Sequence, residues 1–173
     1  MKLFFILSMF LLAQLQAQLL ISPMDAMKEN FDLDAKVSKK NILLTQTKFK
    51  NIQKSAKVKL NTKIYRVYTA SKNGKILGYG ILINRKVRSK NAVILYMIAK
   101  GILQSIEIIA FNEPQEYLPT KRWNAQFKER NIKSKLRLSR DIPSISGATL
   151  SARSVVDASR IAFALYNQLI KEK

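Results

Sequence analysis

The chain has 173 residues, with 31 Lys and Arg against 11 Asp and Glu for a formal charge of +20, and it has no cysteine and no histidine. Without thiols there are no disulfides, thiolate nucleophiles, iron–sulfur clusters or thiolate zinc sites, and without imidazoles the commonest general base and the usual haem and catalytic-zinc ligands are missing. Redox or transfer chemistry is left to a bound organic cofactor, or to Asp, Glu, Lys, Tyr, Ser and Thr.

At the N-terminus, Met1 and Lys2 give a short positive start, residues 3–13 are apolar except for Ser8, and Leu15-Gln16-Ala17 offers a small residue at a cleavage point. The pattern predicts a signal peptide over residues 1–17 and export to the periplasm of residues 18–173 as a single domain. The apolar run is shorter than the roughly 20 residues that a spanning helix needs. The alternative is an uncleaved membrane anchor continuing through Leu19-Leu20-Ile21.

Pro23 suits the first turn of a short helix over Pro23–Phe31. Next, Ile42, Leu43, Phe49, Ile52 and Ala56 fall near spacings of three and four, which predicts a helix over residues 45–57. The period then changes. Residues 64–70 alternate, Lys72-Asn73-Gly74-Lys75 turns the chain, and residues 76–83 resume as a strand; residues 84–91 read as a basic loop. A second hairpin follows, with residues 92–99, a turn at Lys100-Gly101, and a strand over Ile102–Phe111. Residues 117–130 are expected to be helical, with Pro119 in the first turn and Trp123 and Phe127 four apart. The last helix, over residues 153–171, buries Val155, Ala158, Ala162, Leu165 and Leu169. The expected fold class is α+β, a mainly antiparallel sheet of two hairpins flanked by helices.

Residues 36–106 hold 17 Lys or Arg and no Asp or Glu. Such an excess either docks an anionic lipid surface or an acidic protein partner, or is a solvated basic face. Export argues against a nucleic-acid partner.

Small and hydroxylated residues crowd Asp141-Ile142-Pro143-Ser144-Ile145-Ser146-Gly147-Ala148-Thr149-Leu150-Ser151, just before the last helix. A helix start there is either a phosphate site, since its free N–H groups and dipole favour an anion, or an N-cap and nothing more. Ser146-Gly147-Ala148-Thr149 followed by Leu150-Ser151 resembles the flavinylation motif of the FMN-binding domain family. That family includes the flavin-carrying subunits of sodium-pumping NADH:quinone oxidoreductases and Rnf complexes, and many small exported flavoproteins. Ser22-Pro23-Met24-Asp25-Ala26-Met27, the Gly78-Tyr79-Gly80 strand, Glu113 and Arg122-Trp123-Asn124-Ala125-Gln126-Phe127 resemble its other regions, so the likeness spans most of residues 22–170. Members often carry an acidic residue three positions before the motif's Ser; here that position is Pro143, with Asp141 two residues earlier.

The resemblance implies an FMN-binding-domain-like fold and FMN esterified through its phosphate to Thr149 by a flavin transferase that uses FAD as donor. It further implies electron relay to a redox partner protein or membrane electron-transfer complex. Ser146, Gly147, Ala148, Leu150 and Ser151 would surround the phosphate, Gly147 by letting the backbone approach closely. Tyr79, Trp123 and Phe127 are either flavin-packing aromatics or ordinary core. Glu113 is a flavin-side acceptor or a loop charge. The alternative function is a non-redox basic exported module docking on anionic lipid or an acidic partner. No general acid–base pair marks the chain as a standalone catalyst.

Overall fold

The computed structural model describes residues 20–170. The signal peptide expected over residues 1–17 lies outside them, and no helix among the described residues is long and apolar enough to cross a membrane. In chain order the elements are α1 (Pro23–Phe31), β1 (Lys36–Leu43), α2 (Gln46–Ala56), β2 (Ile64–Lys72), β3 (Lys75–Lys86), β4 (Asn91–Ala99), β5 (Ile102–Phe111), α3 (Lys121–Ala125) and α4 (Thr149–Leu169).

Both predicted hairpins form, and the turn chemistry explains their tightness. Asn73 and Gly74 have φ of 51° and 75°, and Lys100 and Gly101 have φ of 51° and 77°. Each pair supplies the two consecutive left-handed residues of a two-residue turn whose twist matches the flanking strands. The turns fix the registers Lys72↔Lys75 and Ala99↔Ile102. The sheet has five antiparallel strands in the order β1-β2-β3-β4-β5 rather than the four expected, because β1 pairs along β2 from Lys36↔Ser71 to Leu43↔Ile64. Strand β3 also runs on to Lys86, which narrows the basic loop to residues 87–90.

Helices cover both faces. On one, α2 and α4 lie over Ile81, Ile83, Ile94, Tyr96 and Ile98, and Val155, Ala158, Ala162 and Leu165 of α4 are buried as their spacing predicts. Two polar ties fix α4 to the sheet: the Tyr96 hydroxyl donates to the Val155 carbonyl at 2.9 Å, and Arg85 pairs with Asp157 at 2.9 Å. On the other face, α1 packs Ala26 and Met27 against Tyr68, Leu95 and Met97. This approach needs Gly78 and Gly80. A Cβ on Gly80 would stand 2.5 Å from Met27 Sδ, and one on Gly78 would fall inside the contact distance of the Phe31 ring.

The helix expected over residues 117–130 is replaced by a single 3-10 turn, Gln115–Tyr117, and the short α3. Thr120 caps α3, its Oγ1 accepting from Trp123 N at 3.1 Å. Beyond it the backbone turns to the edge of β5, where Leu103 N donates to Arg130 O and Glu129 N to Leu103 O, with Glu129 left-handed at φ 66°. Bonds to a strand edge have taken the place of further helical turns.

Candidate functional site

The motif loop closes on Gly147. Its φ of 75° lies in the left-handed region that suits glycine, and Ala148 N turns back to Ile145 O at 3.1 Å. Helix α4 then begins at Thr149, four residues earlier than its apolar spacing indicates, so Thr149 is the first helical residue rather than part of a loop. Its N-cap is Ala148, and no side chain caps the helix. The hydroxyls of this segment are therefore not spent as an N-cap, and the N–H groups of the first turn, with the positive end of the helix dipole, face outward. The Thr149 hydroxyl is exposed and only weakly engaged, lying 3.4 Å from Ser144 Oγ and 3.4 Å from Ile145 O.

Beside it is a cavity of about 230 Å³, with residues 147–151 on one wall and Val87, Arg88, Glu113 and Tyr117 facing them. Ser151, only 2% exposed, forms part of its inner end. Among the described residues Arg88 has no carboxylate partner. An unpaired guanidinium, outward N–H groups, a polar inner end and the Val87 and Tyr117 side chains make a recess suited to a phosphate with a planar apolar group attached.

Glu113 builds the facing wall. It is 6% exposed, and its Oε1 accepts from the backbone N–H groups of Arg88, Ser89 and Lys90 at 3.0, 2.6 and 2.7 Å. These bonds, that from Lys90 foremost, hold the carboxyl below the usual glutamate range against the opposing effect of burial. Glu113→Ala strands three inward N–H groups and should lower unfolding free energy by about 3 kcal/mol in urea titrations, while Glu113→Gln, which keeps one acceptor oxygen, should cost less. Because the native pKa is depressed, this stabilisation is complete above the unfolded pKa of about 4.3 and fades as pH falls toward the native value. The acid limb of the stability profile should therefore flatten in Glu113→Ala.

Two contacts brace the loop from behind. The Trp123 indole N–H donates to Pro143 O at 3.0 Å, and Asp141 is held by Arg137 through Nε at 2.9 Å, Nη2 at 3.1 Å and the backbone N–H at 2.8 Å. The Arg137 guanidinium, with its backbone N–H, brings the Asp141 carboxyl down to about 2. Asp141 is thus an anchor of the loop.

The fold therefore brings Thr149, Gly147, Ala148, Leu150, Ser151 and Glu113 to one cavity, with Ser146 exposed in the loop just before it. Trp123 supports the loop from outside the cavity lining. The other two aromatics, Phe127 and Tyr79, also lie outside the cavity lining. Phe127 is fully buried, with its ring 5.3 Å from that of Trp123, and Tyr79 packs edge-on against Tyr166 at 6.0 Å. Tyr166 is 17 residues along α4 from Thr149, or about 25 Å at 1.5 Å per residue. Sequence reasoning passed over Val87, Arg88 and Tyr117. Arg88 was one cation in a basic loop and Tyr117 the start of an expected helix, and only the bend held by Glu113 turns that loop toward the motif.

No family model matches the chain, and no curated protein matches its sequence. Among solved structures it is similar to the crystal structure of Shewanella oneidensis NqrC, with a TM-score of 0.53 and 18% identity over 77% of this chain and 70% of that one. At that identity the likeness shows the fold: this chain shares with NqrC an α+β architecture built on an antiparallel sheet.

Proposed function

We infer that the protein is an exported flavin carrier in which FMN is joined through its phosphate to Thr149. The observation that carries this reading is an exposed hydroxyl on the first residue of an uncapped helix, at the mouth of a cavity faced by an unpaired arginine. The motif's resemblance to the FMN-binding domain family and the fold shared with NqrC support it.

In the proposed attachment Thr149 Oγ1 would form a bond to the FMN-side phosphorus of FAD as the pyrophosphate bond breaks and AMP leaves. The hydroxyl proton needs an acceptor. This chain has no histidine, and the one carboxylate lining the cavity, Glu113, is occupied by three N–H groups, so a flavin transferase would supply the base. In the product, Arg88 and the first N–H groups of α4 would hold the phosphate, with Ser151 beneath, while Val87 and Tyr117 would offer apolar surface to the ring. Bound FMN supplies reversible electron uptake, and a partner protein or membrane electron-transfer complex would exchange electrons with it.

Coexpression with a flavin transferase tests this. The denatured protein should keep flavin fluorescence and gain the mass of one FMN residue; a colourless chain of unchanged mass would leave the non-redox binding module as the surviving reading. For export, the mature chain should begin near Gln18 and fractionate as soluble periplasmic protein, whereas full-length chain found only in membranes would establish the anchor.

A further inference from the structure

We propose that the groove between the C-terminal end of α2, residues 132–137 and α4 docks an extended acidic segment of a partner protein. The groove is a cavity of about 370 Å³ whose walls carry Lys57, Lys133, Lys135, Arg137 and Arg160, with no carboxylate in its lining. Arg137 and Arg160 share charge with Asp141 and Asp157; Lys57, Lys133 and Lys135 have no ion pair among the described residues. Asp141 offsets Arg137, and Asp157 is shared between Arg160 and Arg85, so at least three of the five charges in this one concavity are uncompensated, which focuses positive potential there. Four of the five come from outside the basic stretch 36–106, so the groove is assembled by the fold and is not simply a sample of the chain's general excess.

Its backbone is shaped at two points: Lys57 ends α2 in the left-handed conformation common at helix C-termini, with φ of 52°, and Leu136 is left-handed at φ 47°. The Lys57 carbonyl accepts from Arg160 Nη2 at 3.0 Å, and the Leu136 side chain is 1% exposed. The floor is apolar, from Ile132, Phe163 and Ala164.

Cations on several walls above an apolar floor match a peptide that carries several carboxylates and one apolar side chain. A planar bilayer surface would meet only the rim. Phe163 is 14 residues along α4 from Thr149, about 21 Å, so an occupant would leave the cavity beside Thr149 open. The groove is then a tether for a partner, and the proposal does not depend on flavin being attached.

A fluorescein-labelled 12-residue peptide of Asp and Glu with one central Leu, followed by anisotropy, tests it on the flavin-free chain. The wild type should bind, and more weakly as salt rises to about 0.15 M. Lys133→Glu/Lys135→Glu, at two exposed positions, should weaken binding by about tenfold or more. Lys39→Glu/Lys40→Glu, an equal charge change on exposed β1, should alter it by less than about threefold, and Leu→Ser in the peptide should weaken wild-type binding. Circular dichroism melts confirm that both variants are folded. Absence of binding, equal losses in the two variants, or indifference to the peptide's Leu would overturn the proposal. So would a groove reversal that releases phosphatidylglycerol vesicles but not the peptide, since that assigns the groove to lipid.

Discussion

Thr149→Ala coexpressed with a flavin transferase should yield protein with no covalent flavin and an unchanged fold. The hydroxyl is the proposed point of attachment, and nothing else in the structure leans on it. Its two contacts are both at 3.4 Å, the long limit of a hydrogen bond, and it is not the helix cap. Alanine is the best helix former at such a position, so the stability change should stay within about 0.5 kcal/mol. Thr149→Val should also be unlabelled, and Thr149→Ser should keep partial labelling. Ser151→Ala should remain labelled, because the role proposed for it is only to support the phosphate from within the cavity. Ser144 is the instructive control, since its hydroxyl stands 3.4 Å from that of Thr149. If intact mass shows flavin on Thr149→Ala but not on a Thr149→Ala/Ser144→Ala double variant, the acceptor is Ser144 and Thr149 is rejected as the attachment site. Should the wild type itself label poorly, Pro143→Asp, an exposed substitution, should raise the yield.

Gly80→Val should destabilise the fold by overpacking, costing about 2 to 3 kcal/mol and lowering Tm by roughly 8 °C. Two effects oppose each other. Valine is the better strand former, worth up to about 1 kcal/mol. Against this, its Cβ alone would stand 2.5 Å from Met27 Sδ and 3.0 Å from Leu95 Cδ1, and both side chains are fully buried. Neither can retreat without opening the packing of α1 on the sheet, so overpacking wins. At Gly78 the nearest obstacle is the half-buried Phe31 ring, which has solvent on one side to swing into, and Gly78→Ala should cost less. Equilibrium urea unfolding ranks the two; a Gly80→Val protein as stable as the wild type would mean that α1 contributes little to holding this face.

The hairpins were legible because their signals are local. Asn73-Gly74 and Lys100-Gly101 announce left-handed turns between apolar runs, and α1 and α2 carry their own spacing. Strand β1 was not, because it is an edge strand with six of its eight residues exposed and only Val37 and Ile42 half-buried. Lysines such as Lys36, Lys39 and Lys40 guard that edge and erase the alternation that would reveal it. The shortened helix after residue 117 depends on the free edge of β5, which no window of sequence contains. At the site, Thr149, Gly147 and Ser151 were found because the motif is contiguous. Glu113 stands out by the resemblance, but its role depends on the bend at residues 88–90, which closes on its carboxylate only in the fold. The earlier start of α4 escaped periodicity because exposed Thr149 and Leu150 interrupt the buried stripe that begins at Ser151.

Trp123 is the chain's single tryptophan, and its indole is tied to the carbonyl of Pro143, six residues before Thr149. The protein thus carries a built-in optical gauge of its motif loop. Loss of that hydrogen bond would shift the emission of one known fluorophore, and an isoalloxazine held beside Thr149 would drain its excitation by energy transfer. Attachment could then be followed in real time from the fading of tryptophan light, without any label added to the chain.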